Sequence, residues 1–142
     1  MKISIVTVCF NSEKYIYDAI KSVNDQTYPD IEHIFIDGGS TDKTCQIIKQ
    51  NVNRKYKIIS EPDNGIYDAM NKGYKMATGD VVAFLNSDDV YDNCNTLDSV
   101  MANFEVETDI VYGDIYFVNN KNVVTRIWLT GEIPVSWSAG FQ

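Results

Sequence analysis

The residues best suited to chemistry are Asn86-Ser87-Asp88-Asp89, which end the apolar run Val81-Val82-Ala83-Phe84-Leu85. Adjacent carboxylates straight after a buried strand repel each other, so they must stay hydrated or share a cation. At the lip of a parallel sheet they make a ready site for a hard divalent metal with oxygen ligands. An Asp-rich turn or helix cap would use the same residue types, since Asp and Ser favour both. Three more polar clusters bear on the choice: Phe10-Asn11-Ser12, Asp37-Gly38-Gly39-Ser40-Thr41-Asp42 and Glu61-Pro62-Asp63-Asn64. Asp37 is placed to accept hydrogen bonds from a base or ribose, and Gly38 and Gly39 would let a ligand approach the backbone. Asp88 or Asp89 would hold a divalent ion bridging diphosphate oxygens. A nucleotide-diphosphate site is the expectation that joins these pieces.

Such a site needs elements that bring the clusters together. The run Ile3 to Phe10 is mostly apolar and β-branched, the mark of a strand covered on both faces. Ser12 can cap a following helix whose Ile16, Ala19, Ile20 and Val23 form one apolar stripe. Glu32 to Ile36 is a second strand, and Ser40 or Thr41 can cap a second helix carrying Cys45, Ile47, Ile48 and Val52. Tyr56 to Ser60 is a third strand, followed by a helix with Ile66, Met70, Gly73 and Ala77 at helical spacing. Gly73 costs roughly 1 kcal/mol there relative to Ala, which predicts close packing against the sheet. The strand Val81 to Leu85 comes next, then a helix over Thr96 to Phe104 with Leu97, Val100, Met101 and Phe104 inward. Strict alternation predicts a parallel α/β sheet with right-handed crossovers, and all four polar clusters fall at strand carboxyl ends, where such sheets bind ligands. After Asp109, Ile110 to Val118 and Val123 to Leu129 read as an antiparallel hairpin across Asn119-Asn120-Lys121-Asn122. The stretch Thr130 to Gln142 has no clear period; its Trp137 and Phe141, with Pro134, suggest packing against something further along.

Composition narrows the function. A chain of 142 residues, 44% apolar and 23% charged, is an ordinary globular domain large enough for its own core. The net charge of −8 argues against a nucleic-acid or anionic membrane partner. It also means that a phosphorylated ligand needs a cation beside it. The three cysteines, Cys9, Cys45 and Cys94, are widely spaced and read as reduced cytosolic thiols, Cys9 as core. His33 reads as a strand-edge residue rather than a ligand or base. No segment reads as a signal peptide or approaches membrane-spanning length. The first βα turn has no glycines, which excludes G-x-G-x-x-G there. No G-x-x-x-x-G-K-[ST] exists, and one histidine leaves no plausible hydrolase triad.

Taken in order, these motifs resemble glycosyltransferase family 2, the inverting transferases with a GT-A fold. The resemblance runs from Ile3–Asn11 through Asp37-Gly38-Gly39-Ser40-Thr41-Asp42 to Asn86-Ser87-Asp88-Asp89. The stretch Asn64-Gly65-Ile66-Tyr67-Asp68-Ala69-Met70-Asn71-Lys72-Gly73 is similar to the branch building cell-surface polysaccharide. It implies an α/β, Rossmann-like, mostly parallel sheet flanked by helices, with a C-terminal antiparallel hairpin. It also implies a nucleotide-sugar donor, with uracil the expected base. Asp37 would contact that base, the backbone of Val8, Cys9 and Phe10 would wall its pocket, and Asn64, Asn86 and Ser87 complete the nucleotide-binding set. Asn86-Ser87-Asp88 stands where the family has D-x-D, so Asp88 would ligate Mn²⁺ or Mg²⁺ and Asp89 would be a secondary ligand or a cap. Asn86 departs from the usual Asp there. Asp114 would face the donor sugar or point to solvent.

An inverting transfer needs a general base to take the acceptor proton. The family's base lies well downstream of the metal motif, so residues 1–142 are expected to be one donor-binding GT-A domain ending before it. The acceptor would be a saccharide or a lipid-linked saccharide. The full-length protein is expected in the cytoplasm, at the inner membrane face if peripheral. A non-catalytic nucleotide-sugar module is the alternative. A receiver-type Mg²⁺ domain would need acids after the first strand, where Cys9-Phe10-Asn11 stands.

Overall fold

The computed structural model describes residues 1–119, 121 and 123–131. They fall into two compact units, the first Met1–Met101 and the second beginning at Ala102. In the first, β1 (Ile3–Cys9), α1 (Ile16–Asn24), β2 (Ile31–Asp37), α2 (Thr44–Asn51), β3 (Lys55–Ser60), α3 (Ile66–Met76), β4 (Val81–Phe84) and α4 (Thr96–Ala102) follow in order. The four strands are parallel and lie in the order β3-β2-β1-β4. This is the Rossmann half-order, with strand order reversing at β1. A receiver domain's flavodoxin-like order would put β3 beside β1, so that alternative is overturned.

Every residue of β1 and β2 is buried, as their unbroken apolar runs require. Alternation splits them between two layers. Val6, Val8, Ile34 and Ile36 pack with Ala69 and Met70 of α3. Cys9 and Phe35 pack with Ile16, Ile20 and Ile48 on the other face. The α1 stripe is fully buried. Gly73 behaves as its position predicts: a Cβ there would lie 2.2 Å from Val6 Cγ1, so only glycine lets α3 sit this close to β1.

Several boundaries and caps differ from expectation. Helix α4 ends at Ala102, two residues short of Phe104, and β5 (Ile115–Val118) starts five residues later than Ile110. Ser12 caps no helix by its side chain; its hydroxyl turns to Ser87 and the Phe10 carbonyl, and α1 begins after a turn in which its carbonyl accepts from Tyr15 and Ile16 N–H. Asp42, rather than Ser40 or Thr41, accepts the Thr44 N–H at the start of α2. His33 sits fully buried in the middle of β2 with Nε2 2.8 Å from Thr7 Oγ1, and burial pushes its pKa down to about 3.

At the amino end of the sheet, Glu32 is buried with Oε1 accepting from Ser4 Oγ at 2.6 Å and Thr78 N–H at 2.6 Å. Lys2 Nζ lies 3.0 Å and Lys57 Nζ 3.6 Å from Oε2. In the second unit, β5 and β6 (Val124–Trp128) pair antiparallel with an irregularity between Phe117 and Val118. Asn120 and Asn122 of the expected turn, and Pro134, Trp137 and Phe141 of the expected packing segment, lie outside the described residues.

Candidate functional site at the switch point

Strand order reverses at β1, and in open α/β sheets ligands bind at such a point, beyond the strand carboxyl ends, here those of β1 and β4. The loops at that point are Phe10–Ser12 and Asn86–Asp89. Their floor is a pair of buried hydroxyls, Ser12 Oγ and Ser87 Oγ, 2.8 Å apart. The Ser87 hydroxyl thus holds the two loops together.

Asn86 folds the acidic turn. Its carbonyl accepts the Asp89 N–H at 3.1 Å, and its Nδ2 donates to Asp89 Oδ2 at 3.0 Å. Asp89 is thus occupied within its own turn, which matches the cap reading better than a ligand. Asp88 lies at the tip, exposed, and makes no hydrogen bond to a described residue. Asn86 Oδ1, beside that tip, is buried and accepts from no described residue. Among the described residues no three His, Cys, Asp or Glu side chains are grouped to hold a metal. A divalent ion here would take Asp88 from the protein and most other ligands from phosphate and water, the habit of Mg²⁺-type sites.

Asp37, the expected base contact, ends β2. It is fully buried, and both carboxylate oxygens are engaged. Oδ2 accepts Ser40 N–H at 2.9 Å, Ser60 Oγ–H at 2.6 Å and the Cys45 thiol at 3.3 Å, while Oδ1 accepts the Ser40 hydroxyl. Burial pushes its pKa up, but hydrogen bonds from Ser40 and Ser60 outweigh it and hold the group below the usual carboxylate range. Both oxygens thus tie the end of β2 to the loops around it. The cause is register: Asp37 pairs with Cys9 and Ser60 and shares the face of Phe35, so it points toward α2. Cys9 beside it is core, its thiol pKa raised by burial first and by Asp37 next.

The remaining motif residues lock loops to one another. Asn11 N–H donates to Ser40 Oγ, and Asn11 Oδ1 accepts Thr41 N–H. Glu13 N–H donates to Asp42, and Lys43 N–H to Glu13. Asn11 holds φ at 48°, a left-handed conformation that Asn tolerates. Gly38 and Gly39 do admit a close neighbour, but it is the loop after β3. A Cβ on Gly38 would meet Asp63 Oδ2 at 2.8 Å, and one on Gly39 would meet Pro62 N at 3.5 Å.

Of the expected wall, Val8 is buried core while the Phe10 ring is 62% exposed beside Gly38. Asn64 is exposed and donates its N–H to Asp68 Oδ2 at 3.0 Å. Asp63, absent from the expected set, is half-buried; Oδ1 accepts Gly65 N–H at 2.8 Å. Its signal in the sequence is the spacing Asp-x-Gly, an Asx turn into a glycine at φ 104°. In the second unit, Asp114 Oδ1 accepts both Thr130 N–H and Thr130 Oγ1–H at 2.8 Å, closing the hairpin base. A cavity of about 290 Å³ between α1 and Val90–Cys94 involves none of these residues.

A 3-2-1-4 parallel sheet with an acidic turn at its switch point, followed by an antiparallel hairpin, defines a GT-A fold. Comparison with known proteins agrees. The chain belongs to glycosyl transferase family 2, whose model matches residues 4–134. A PGL/p-HBAD biosynthesis glycosyltransferase of Mycobacterium tuberculosis is 36% identical over 117 residues, covering 79% of this chain and 46% of that protein. The Staphylococcus aureus TarS 1–349 structure with UDP-GlcNAc is 34% identical with a TM-score of 0.65, over 72% of this chain and 30% of that one. A Pyrobaculum calidifontis mannosyltransferase in complex with GDP-Man and Mn²⁺ has a TM-score of 0.65 over 70% of this chain and 31% of that one, and at 20% identity shares the fold alone. The chain spans less than half the length of these relatives. Among the described residues no helix is long and apolar enough to cross a membrane.

Proposed function

We propose that residues 1–142 form the donor-binding part of a GT-A domain that takes a UDP-sugar at the β1/β4 crevice. The whole protein then transfers the sugar, with inversion, to a saccharide or lipid-linked acceptor in cell-surface polysaccharide synthesis. It works in the cytoplasm, peripheral to the inner membrane face when the acceptor is lipid-linked. The observation that carries this reading is Asp88: an exposed carboxylate at the tip of the turn beside the switch point, with no hydrogen bond to a described residue.

The physical case is one of charge. A diphosphate entering a chain of net charge −8 meets repulsion unless a cation lies between. Mn²⁺ or Mg²⁺ held by Asp88 supplies that cation and, when bound, stabilises charge on the departing diphosphate. Asn86, whose Oδ1 is unmet among the described residues, accepts a ribose hydroxyl or contributes its carbonyl oxygen. Phe10 offers an open aromatic face to the base. Asp114 stays a candidate for the donor sugar, its Oδ2 making no hydrogen bond to a described residue. The general base is left unassigned.

Isothermal titration of UDP with and without Mn²⁺ tests the reading. Binding should require the metal, and Asp88→Ala should remove that requirement together with at least tenfold in affinity. Equal UDP affinity in EDTA and in Mn²⁺, or an Asp88→Ala variant that behaves like the parent, would overturn the metal role.

A further inference from the structure

We propose that Ser12 is a positioning residue for the metal: through Ser87 it holds the acidic turn so that Asp88 meets the cation already placed. The proposal rests on the donor-site reading above and adds the groups that set its metal affinity.

The acidic turn has one tether. Leu85 N–H is still bound to the Val6 carbonyl at 3.0 Å, and at Asn93 the chain is pinned again, its carbonyl accepting from Gln26 Nε2 at 2.8 Å. Between those points Asn86 and Asp89 bond to each other, and Asp92 accepts from its neighbour Asn93 Nδ2 at 3.1 Å. Among the described residues, only Ser87 makes a hydrogen bond out of that segment to the rest of the domain, to Ser12 Oγ at 2.8 Å.

Ser12 is itself fixed from the opposite side. Its N–H donates to Thr44 Oγ1 at 2.8 Å, and the Thr44 hydroxyl donates to Asp42 Oδ1 at 2.5 Å. Thr44 opens α2 and is fully buried. The Ser12 hydroxyl also reaches the Phe10 carbonyl at 3.3 Å, so Ser87 serves as the donor of the pair. The tie thus runs from the start of α2 through Ser12 to Ser87, the residue before Asp88.

Burial gives this bond its weight. Ser12 is 8% and Ser87 9% exposed, so water does not readily stand in for either partner. Without the Ser12 hydroxyl, Ser87 either stays buried and unpaired or swings out with its turn and carries Asp88 away. Without the Ser87 hydroxyl, Ser12 keeps the Phe10 carbonyl, but the turn loses its tether. Loss of the groups that orient a metal ligand costs roughly 10- to 100-fold in metal affinity.

Titration of Mn²⁺ at fixed UDP, with free Mn²⁺ counted by electron paramagnetic resonance, tests this on the parent, Ser12→Ala, Ser87→Ala and the double variant. Each single variant should weaken Mn²⁺ binding by about 10-fold or more. The double variant should be no weaker than the worse single, because both remove the same bond. In the metal-free protein, hydrogen exchange at Asp89 N–H should quicken in both single variants while the β1 amides keep their protection. A merely structural bond would lower the urea midpoint and leave Mn²⁺ affinity at the parent value, and that result overturns the proposal. Losses that add in the double variant overturn it too. Ser87→Ala leaves no buried hydroxyl without a partner, so it decides the matter if Ser12→Ala does not fold. A parent whose UDP binding is indifferent to Mn²⁺ overturns the metal role in the donor-site reading and this proposal with it.

Discussion

Replacing Asp37 by alanine removes the acceptor on which Ser40 N–H, the Ser40 and Ser60 hydroxyls and the Cys45 thiol converge. A buried donor left without an acceptor costs ~1–3 kcal/mol. The hydroxyls can turn elsewhere, but Ser40 N–H at 2.9 Å is fixed by the backbone and keeps its full penalty. The sum is about 3–5 kcal/mol, a large share of the ~5–15 kcal/mol that holds a typical domain. With a urea slope of about 2 kcal/mol per molar, the unfolding midpoint should fall by roughly 2 M. Asp37→Asn keeps one acceptor and, with the Ser40 hydroxyl reversed to accept from the amide, should lose only about 1–2 kcal/mol. UDP affinity of the folded Asp37→Asn protein should stay within a few-fold of the parent. An Asp37→Ala variant with an unchanged urea midpoint would refute the scaffold role.

Other outcomes follow from the same packing. Gly73→Ala, which in an open helix would stabilise by about 1 kcal/mol, should instead destabilise by ~1–3 kcal/mol, because its Cβ would sit 2.2 Å from Val6 Cγ1. Thermal melting reads the sign, and a raised Tm would disprove the close packing. Burial pushes the Glu32 pKa up, but hydrogen bonds from Ser4, Thr78 and Lys2 bring it from 4.5 to about 2. Its folded pKa lies below its unfolded one, so its contribution is present above pH 4.5 and is lost as pH falls toward about 2. Urea titrations across that window should show a shallower acid limb in Glu32→Gln, and an identical slope would discount the network. Asp88→Ala should leave the melting temperature within a degree or so, since the side chain is exposed and makes no hydrogen bond to a described residue.

Much of the fold is legible in the chain because burial and periodicity are local. The stripe Ile16, Ala19, Ile20, Val23 gives α1 directly, and the unbroken apolar runs give β1 and β2 as doubly covered strands. Gly73 inside a helical pattern already points to its contact with the sheet. The four polar clusters at strand carboxyl ends give the face of the site. Helix starts are less legible, since Ser12, Ser40 and Thr41 look like caps but spend their side chains or N–H groups between loops.

What the sequence by itself determined is the alternation and the polar end of the sheet. The spacing of motifs is enough, because each lies next to the strand that carries it. Tertiary structure alone decided which polar side chains are free. Asp37 and Asp88 both stand at the carboxyl end of the sheet, yet pairing register turns the first toward α2 and Ser60, while the second is exposed at the tip of its turn and makes no hydrogen bond to a described residue. That difference depends on contacts with residues about 20 or more positions away, which no local pattern records.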